Sequence, residues 1–162
     1  MSDVKTLGIG FYFDELEPGM KFKTLNRTIT EPDIVGFIGV TGMVETLFTD
    51  LSFSHDHGPL SGRVAPAALS YTIIEGLLCQ HSMQTTGLAL LEVNKKVFAP
   101  VVAGDTIHCE VEVLSVRKTS KGNRGIVKTR NDIINQHGTT VITYEATRMM
   151  AGTPEDDPRF KR

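Results

Sequence analysis

Alternating apolar and polar side chains in the second half of the chain predict antiparallel β-strands. Between residues 107 and 113 every second side chain is apolar, and the side chains between them are His or Glu. A period of two is typical of a strand with one buried face and one solvated face. Further strands are predicted over 88–98, 125–134 and 139–150, where turn sequences bound similar segments.

A helix is predicted over 67–83, and its apolar side chains cover most of its circumference rather than one stripe. A helix that is apolar nearly all round has to be buried. We therefore expect an α+β protein with the hotdog fold, in which an antiparallel sheet wraps around a long buried central helix. Such a sheet leaves an edge strand unpaired, which favours dimerisation through that edge.

A shorter helix is predicted to begin after Thr30 and to end near Gly42, because Thr is a suitable N-cap and acidic residues follow it in the first turn. The stretch 42–63 then lacks a regular pattern, and loops of this length are often functional. We expect one domain over 1–162, with a flexible lead-in at 1–12 and a flexible tail at 153–162.

Composition narrows the functional classes. The net charge is −2 over 162 residues, which argues against nucleic acid as a partner because nucleic acid requires a concentrated basic face. No apolar stretch approaches the ~18 residues of a membrane span, and the first residues lack the features of a signal peptide. We therefore expect a cytoplasmic protein that does not bind membranes. Cys79 and Cys109 have no CxxC partner, so no metal site is expected. We expect both cysteines to be buried structural thiols.

Five sequence blocks then occur in an order that resembles one known family. The blocks are FDELEPG (13–19), RTITEPDI (27–34), GRVA (62–65), FAPVVAGDTI (98–107) and NQHG (135–138). Together they resemble the MaoC-like dehydratases, which include the (R)-specific enoyl-CoA hydratases. The resemblance implies a hotdog dimer that binds an acyl-CoA thioester as its substrate, with the acyl chain in a tunnel beside the central helix. It implies no further cofactor.

The sequence departs from the family pattern where the chemistry lies. In active members an Asp and a His on the loop after the first helix act as a general acid/base pair on water. Here Met43 stands at the Asp position and Phe48 at the His position. Pro66 and Ala67 replace a His-Gly pair at the start of the central helix. Neither Met nor Phe can exchange a proton at neutral pH, so any catalysis has to use other residues.

Three residues are candidates to replace the lost acid/base pair: Glu45, His55 and His57. A carboxylate beside apolar side chains would be partly desolvated, which suits a general acid or base. The two histidines flank Asp56 and could relay protons if the loop folds over the tunnel. The alternative for each candidate is an ordinary solvated loop residue.

The resemblance also implies a substrate-binding set: Met43, Phe48, Arg63, Pro66 and Ala67. Met43 and Phe48 would suit the wall of an acyl tunnel, because apolar surfaces favour acyl burial. Arg63 could hold the loop, contact a phosphate or carboxylate of the ligand, or form a structural ion pair.

Three functions remain open. The first is a divergent MaoC-like hydratase or dehydratase that acts on an enoyl-CoA or 3-hydroxyacyl-CoA. The second is a non-catalytic acyl-CoA-binding subunit that partners an active MaoC-like paralogue, so both a homodimer and a heterodimer are possible. The third is a hotdog thioesterase in which Glu75, on the central helix, activates water. A solvent-facing position or an ion pair across the dimer is the alternative for Glu75.

Overall fold

An antiparallel sheet dominates the structure, a computed structural model that describes residues 6–56 and 62–155. Within these residues the strands are β1 (Lys21–Lys23), β2 (Arg27–Thr28), β3 (Val64–Ala65), β4 (Gly87–Val97), β5 (Val101–Val102), β6 (Thr106–Lys118), β7 (Arg124–Asn135) and β8 (Thr140–Ala151). The main sheet has the order β1-β6-β7-β8-β4, with β2 also paired to β6, and β3 pairs with β5. The long strands confirm the segments that the two-residue period predicts.

The helices occupy the first half of the chain. They are α1 (Glu31–Thr41), α2 (Thr46–Thr49), α3 (Leu51–Asp56) and α4 (Ala67–His81). The predicted cap of α1 is confirmed, because the Thr30 side chain accepts a hydrogen bond from the Asp33 N–H and the Asp33 carboxylate accepts one from the Thr30 N–H. The helix ends at Gly42 in the left-handed conformation, with φ of 71°.

The central helix α4 lies against the sheet. Its inner face carries Ile74 and Leu78, which belong to one hydrophobic cluster with Ile107 and Ile133 of the sheet. Residues 79–81 at its C-terminal end are exposed. The predicted burial of α4 is confirmed over most of its length, since residues 67–78 other than Thr72 are buried or half-buried, while its last residues are exposed in a single chain. The α+β hotdog arrangement itself is confirmed.

Residues 10–13, near the start of the described chain, are packed against other segments. The Gly10 N–H donates to the Gln84 carbonyl at 2.9 Å. Phe13 lies so close to Gly125 that a Cβ there would be 2.4 Å from its ring. Contacts with the segment after α4 and with β7 thus hold residues 10–13 in this structure, and the flexibility predicted for the lead-in stays a prediction. Residues 1–5 lie outside the described part of the chain.

The beginning of the predicted tail is also held. The Thr153 N–H and hydroxyl donate to the Asp14 carboxylate at 3.0 Å and 2.9 Å, and the Asn123 side chain donates to the Thr153 carbonyl at 2.9 Å. These bonds join the end of β8 to the start of the chain. The remainder of the tail, 156–162, lies outside the described residues.

The stretch predicted as irregular contains two short helices, α2 and α3. Four to six residues are too few to show a helical period in the sequence, which is why this prediction is wrong for 46–56. Residues 57–61 lie outside the described part. The chain then returns through β3, whose Val64 pairs with Val102 of β5.

Strand β4 is the exposed edge of the main sheet. All eleven of its residues are exposed, including Leu88, Leu90 and Val97, and the following Phe98 is 61% exposed. A long apolar edge strand offers unpaired backbone groups and apolar surface to another chain.

Candidate functional site

Apolar side chains occupy the two positions at which the resemblance places the family's acid and base. Phe48, on α2, is 8% exposed, and Met43 is partly buried against the same hydrophobic cluster that contains Phe48. Met43, between α1 and α2, and Phe48 both face the core, because the burial of apolar side chains is favourable. This part of the site can contact an apolar ligand but cannot move a proton.

Arg63 joins the segments around these positions. Its Nε lies 2.5 Å from Oε1 of Glu31 at the start of α1, and its Nη1 donates to the Phe48 carbonyl oxygen at 2.5 Å. The Arg63 side chain is only 17% exposed. Of the roles predicted for Arg63, the geometry shows a structural ion pair that also holds the loop. The negative charge of Glu31 offsets the positive charge of Arg63, so Arg63 attracts an anionic ligand less strongly.

Glu45 is exposed and immediately precedes α2. Among the described residues, no hydrogen bond or ion pair involves its carboxylate, so this group is available to solvent or a ligand. His55 lies in α3, but its side chain is outside the described part, and His57 is outside the described residues altogether. The proposed replacement of the acid/base pair by His55 or His57 therefore stays a prediction.

Asp50 is a polar residue of this loop that the sequence reading did not single out as a functional group. Its carboxylate accepts hydrogen bonds from the Ser52 hydroxyl at 2.6 Å and from the N–H groups of Ser52 and Phe53. The Ser52 side-chain bond, followed by the two backbone bonds, lowers the pKa of Asp50. These bonds cap the first turn of α3, so Asp50 has a structural role.

The start of α4 provides donors rather than acids or bases. Pro66 is buried at the N-cap, and its carbonyl accepts from the Leu69 N–H at 2.8 Å. Among the residues that the structure describes, no oxygen accepts a hydrogen bond from the N–H groups of Ala67 or Ala68. Free N–H groups at a helix start stabilise a partial negative charge that lies close to them.

Glu75 lies in the middle of α4 and is held by partners. Its Oε1 accepts from the Tyr144 hydroxyl at 2.6 Å and from Nη2 of Arg148 at 2.5 Å. The Glu75 and Arg148 side chains are 16% and 7% exposed. The structure shows an ion pair for Glu75, but with Arg148 of the same chain and not across a dimer. Because Tyr144 and Arg148 both engage the Glu75 carboxylate, the geometry does not favour its use to activate water in a thioesterase.

The sequence reading missed Arg148 and Tyr144. A signal for them was present, because the alternation along β8 places Tyr144, Ala146 and Arg148 on the same buried face. Burial, and then the charge of Glu75, raises the pKa of Tyr144 far above its ordinary value, so its hydroxyl remains a hydrogen-bond donor at any physiological pH. An arginine at a buried strand position requires a partner, and Glu75 supplies it.

The two cysteines differ. Cys109 is buried, as predicted, and burial raises the pKa of its thiol well above the usual range. Cys79 is exposed on α4, so the expectation that both are buried is wrong for this residue, because it lies among the last residues of the helix, which are exposed in a single chain. Within the described ranges, no group of three His, Cys, Asp or Glu side chains could hold a metal ion, and no helix is long and apolar enough to cross a membrane.

Solved structures share this architecture. The R-hydratase PhaJ1 from Pseudomonas aeruginosa is 27% identical, with a TM-score of 0.71 over 90% of this chain and 88% of that chain. A MaoC-like dehydratase from Rhodospirillum rubrum is 22% identical, with a TM-score of 0.78 over 90% of this chain and 99% of that chain. The HadBC (3R-hydroxyacyl-ACP dehydratase) complex from Mycobacterium tuberculosis contains a chain that is 20% identical, with a TM-score of 0.67 over 82% and 96%. The last two likenesses concern the fold alone.

The fold and these neighbours define the class as a hotdog protein of the MaoC-like dehydratase and R-hydratase type. A family model described as the FAS1-like dehydratase domain region matches residues 17–144, and the chain belongs to this family. A comparison with curated protein sequences finds no match. The family model and the solved structures confirm the family resemblance that the sequence blocks predict.

Proposed function

We propose that the protein is a MaoC-like acyl-CoA hydratase or dehydratase that acts on an enoyl-CoA or a 3-hydroxyacyl-CoA, without a further cofactor. Family membership and the likeness to an R-hydratase support this proposal. The observation that carries it is the pair of free N–H groups at Ala67 and Ala68, at the start of a half-buried central helix. We expect the protein to act in the cytoplasm.

The N–H groups at the start of α4 suit the thioester carbonyl oxygen of such a substrate. Negative charge builds on this oxygen when water adds to the double bond, and N–H donors fixed in advance stabilise that charge. Met43 and Phe48 would contact the acyl chain, since apolar walls favour its burial. Pro66 has no N–H, so it shapes the entrance rather than donating.

Glu45 is the described residue best suited to move the proton. In hydration, its carboxylate takes a proton from water while the water oxygen bonds to C3 of the enoyl group. The electrons of the double bond shift towards the thioester, and Glu45 returns the proton to C2. The reverse sequence removes water from a 3-hydroxyacyl thioester.

A second candidate function is that of a non-catalytic acyl-CoA-binding subunit. The burial of Phe48 and the packing of Met43 favour it, because this chain has apolar groups at the family's reaction positions. The active site would then belong to a MaoC-like paralogue that carries the Asp and the His. The HadBC neighbour is itself a complex.

Turnover and binding measurements distinguish the two candidates. Purified protein is mixed with a series of enoyl-CoAs from crotonyl to dodecenoyl, and hydration is followed by the loss of enoyl-thioester absorbance. We expect turnover, and we expect Glu45→Gln to reduce kcat by roughly a hundredfold, the usual contribution of a general acid or base. Glu17→Gln, at another exposed glutamate, is the matched control and should leave kcat unchanged.

Calorimetric titration with saturated acyl-CoAs completes the test. Binding without turnover in the wild type, with turnover gained in M43D/F48H, would support the non-catalytic subunit. Turnover that survives Glu45→Gln would exclude Glu45 and direct attention to His55 and His57. Absence of binding to every acyl-CoA would overturn both candidates.

We propose that β4 pairs with β4 of a second copy of the chain. Antiparallel pairing of two copies about Asn94 places Glu92 opposite Lys96 and Leu91 opposite Val97, so that opposite charges and apolar side chains meet. This self-complementarity supports a homodimer over pairing with a paralogue.

Sedimentation velocity tests the arrangement. We expect a dimer for the wild type, weaker association for Lys96→Glu because like charges then face each other, and recovery in the exchanged variant E92K/K96E. A wild-type chain that stays monomeric at every concentration would contradict the homodimer and favour the paralogue as partner.

A further inference from the structure

A cleft lies between the C-terminal half of α4 and the edge of the sheet, and its lining includes neither Met43 nor Phe48. Its volume is about 240 Å³, and its lining includes Glu75, Met83, Leu88, Leu90 and Arg148. The rim is apolar, since Leu88 and Leu90 are about half exposed in the single chain; both lie on β4, so in the proposed dimer they adjoin the partner. The Glu75–Arg148 ion pair contributes the charged part of the lining. An apolar cleft with a few polar groups is the usual form of a small-molecule site.

The ion pair leaves hydrogen-bonding capacity unused. Oε1 of Glu75 accepts both described bonds, and Arg148 donates through Nη2 to Glu75 and through Nη1 to the Thr129 hydroxyl at 3.1 Å. In the part of the chain that the structure describes, no hydrogen bond uses Oε2 of Glu75 or the Nε–H of Arg148. One acceptor and one donor of the pair are thus left for a ligand.

The cleft adjoins a second, inner cavity. Arg148 and Met83 line both spaces, and the inner cavity of about 30 Å³ is otherwise walled mainly by apolar side chains such as Phe22 and Val127. Methionine is flexible enough to change rotamer without disrupting its surroundings. Movement of Met83 would extend the cleft inwards past the ion pair.

We propose that this cleft holds the end of the acyl chain farthest from the thioester, and that it selects acyl groups with a hydroxyl at that end. This hydroxyl is separate from the 3-hydroxyl that the reaction itself forms or removes. This inference rests on the proposed function, because it assumes an acyl thioester as ligand. A hydroxyl can accept from the Arg148 Nε–H and donate to Oε2 of Glu75. A methyl group would displace water without replacing its hydrogen bonds, and a carboxylate would face the charge of Glu75.

Binding of matched ligands tests the selection. Saturated acyl-CoAs from butanoyl to dodecanoyl are compared by calorimetry with derivatives of equal length that end in a hydroxyl or a carboxylate. Over one narrow range of chain length, we expect the hydroxyl derivative to bind about tenfold more tightly than the unsubstituted chain. The hydroxyl gives Oε2 of Glu75 and the Nε–H of Arg148 a hydrogen-bond partner, whereas the unsubstituted chain leaves these two groups without one. The carboxylate derivative should bind most weakly.

The variant E75L/R148M replaces the ion pair with apolar side chains of similar size, a change that folded proteins often tolerate. We expect it to prefer the unsubstituted chain. K128M/E145L is the matched control, since it removes an ion pair with a 2.6 Å contact whose side chains are about 40% exposed, and it should keep the hydroxyl preference.

The outcomes separate this inference from the proposed function. Equal affinities for hydroxyl and unsubstituted chains in the wild type, or an unchanged preference in E75L/R148M, would overturn the inference and leave the proposed function intact. Absence of binding to every acyl-CoA would overturn the proposed function, and the inference with it.

Discussion

The start and the middle of α4 face very different surroundings. Beside its start, the loop of α1 and α2 buries Phe48 and leaves the carboxylate of Glu45 exposed. In its middle, about 12 Å further along the helix, Glu75 and Arg148 are both largely buried. Among the ion pairs of the described residues, the most deeply buried one therefore lies away from the reaction positions of the family. The start of the helix can bind an apolar group, whereas the middle can recognise a polar one.

The largest effect is expected when the buried pair is broken. Arg148→Met leaves the Glu75 carboxylate half-enclosed without its cation, and loss of one partner of a buried pair typically costs about 3–5 kcal/mol. The free energy of unfolding in urea, measured at neutral pH, should fall by this amount.

E75L/R148M is the control for this loss. Since both charges are removed together, the double variant should lose less stability than Arg148→Met. The remaining loss comes mainly from the Tyr144 hydroxyl, which no longer has Glu75 as acceptor, at about 1–3 kcal/mol. If Arg148→Met alone were as stable as the wild type, the ion pair would contribute nothing to the stability of the fold. The middle of α4 would then not differ from its start in the free energy that depends on buried charge.

A smaller effect is expected at the start of the helix. Arg63→Met removes the ion pair with Glu31 and the bond to the Phe48 carbonyl. Because Glu31 is half exposed and can be solvated, we expect a loss of about 1 kcal/mol. Hydrogen exchange should accelerate in α2 more than in β7. Uniform acceleration across the sheet would show that Arg63 supports the whole core rather than the loop.

The smallest effect is expected on the stability of the fold at acidic pH, through Asp50. The hydrogen bonds from Ser52 and Phe53 lower the pKa of Asp50 in the folded state, so the carboxylate stabilises the fold above its unfolded pKa, near 4. This stabilisation is lost as the pH falls through the folded pKa. Asp50→Asn keeps an oxygen for the cap but cannot titrate, so it should lose less stability than the wild type between about pH 6 and about pH 3. Equal losses in urea unfolding would contradict the role of Asp50.

The sequence allowed the long elements to be predicted because their periods are long enough to read. The alternation from Thr106 to Ala151 and the helix from Ala67 correspond closely to observed elements. The short helices α2 and α3 could not be read, since one or two turns carry no period. The exposure of the last residues of α4 was also missed, because an apolar surface does not reveal whether its own chain or another chain covers it.

The candidate site was predictable in its positions but not in its contacts. The ordered blocks located Met43, Phe48 and Arg63, and the structure adds that Arg63 binds the Phe48 carbonyl. The partners of Glu75 could not be predicted from local sequence, because Arg148 lies 73 residues away and meets it only through the fold.

The two edges of the main sheet are unequal, and this limits how far the protein can polymerise. At one edge β1 has three residues, of which Lys21 and Lys23 are exposed, and short lysine-bearing strands resist further pairing. At the other edge β4 is long and apolar. If two copies pair through β4 as proposed, both long edges are used in that one contact, and the assembly would end as a closed pair and would not elongate into a fibre.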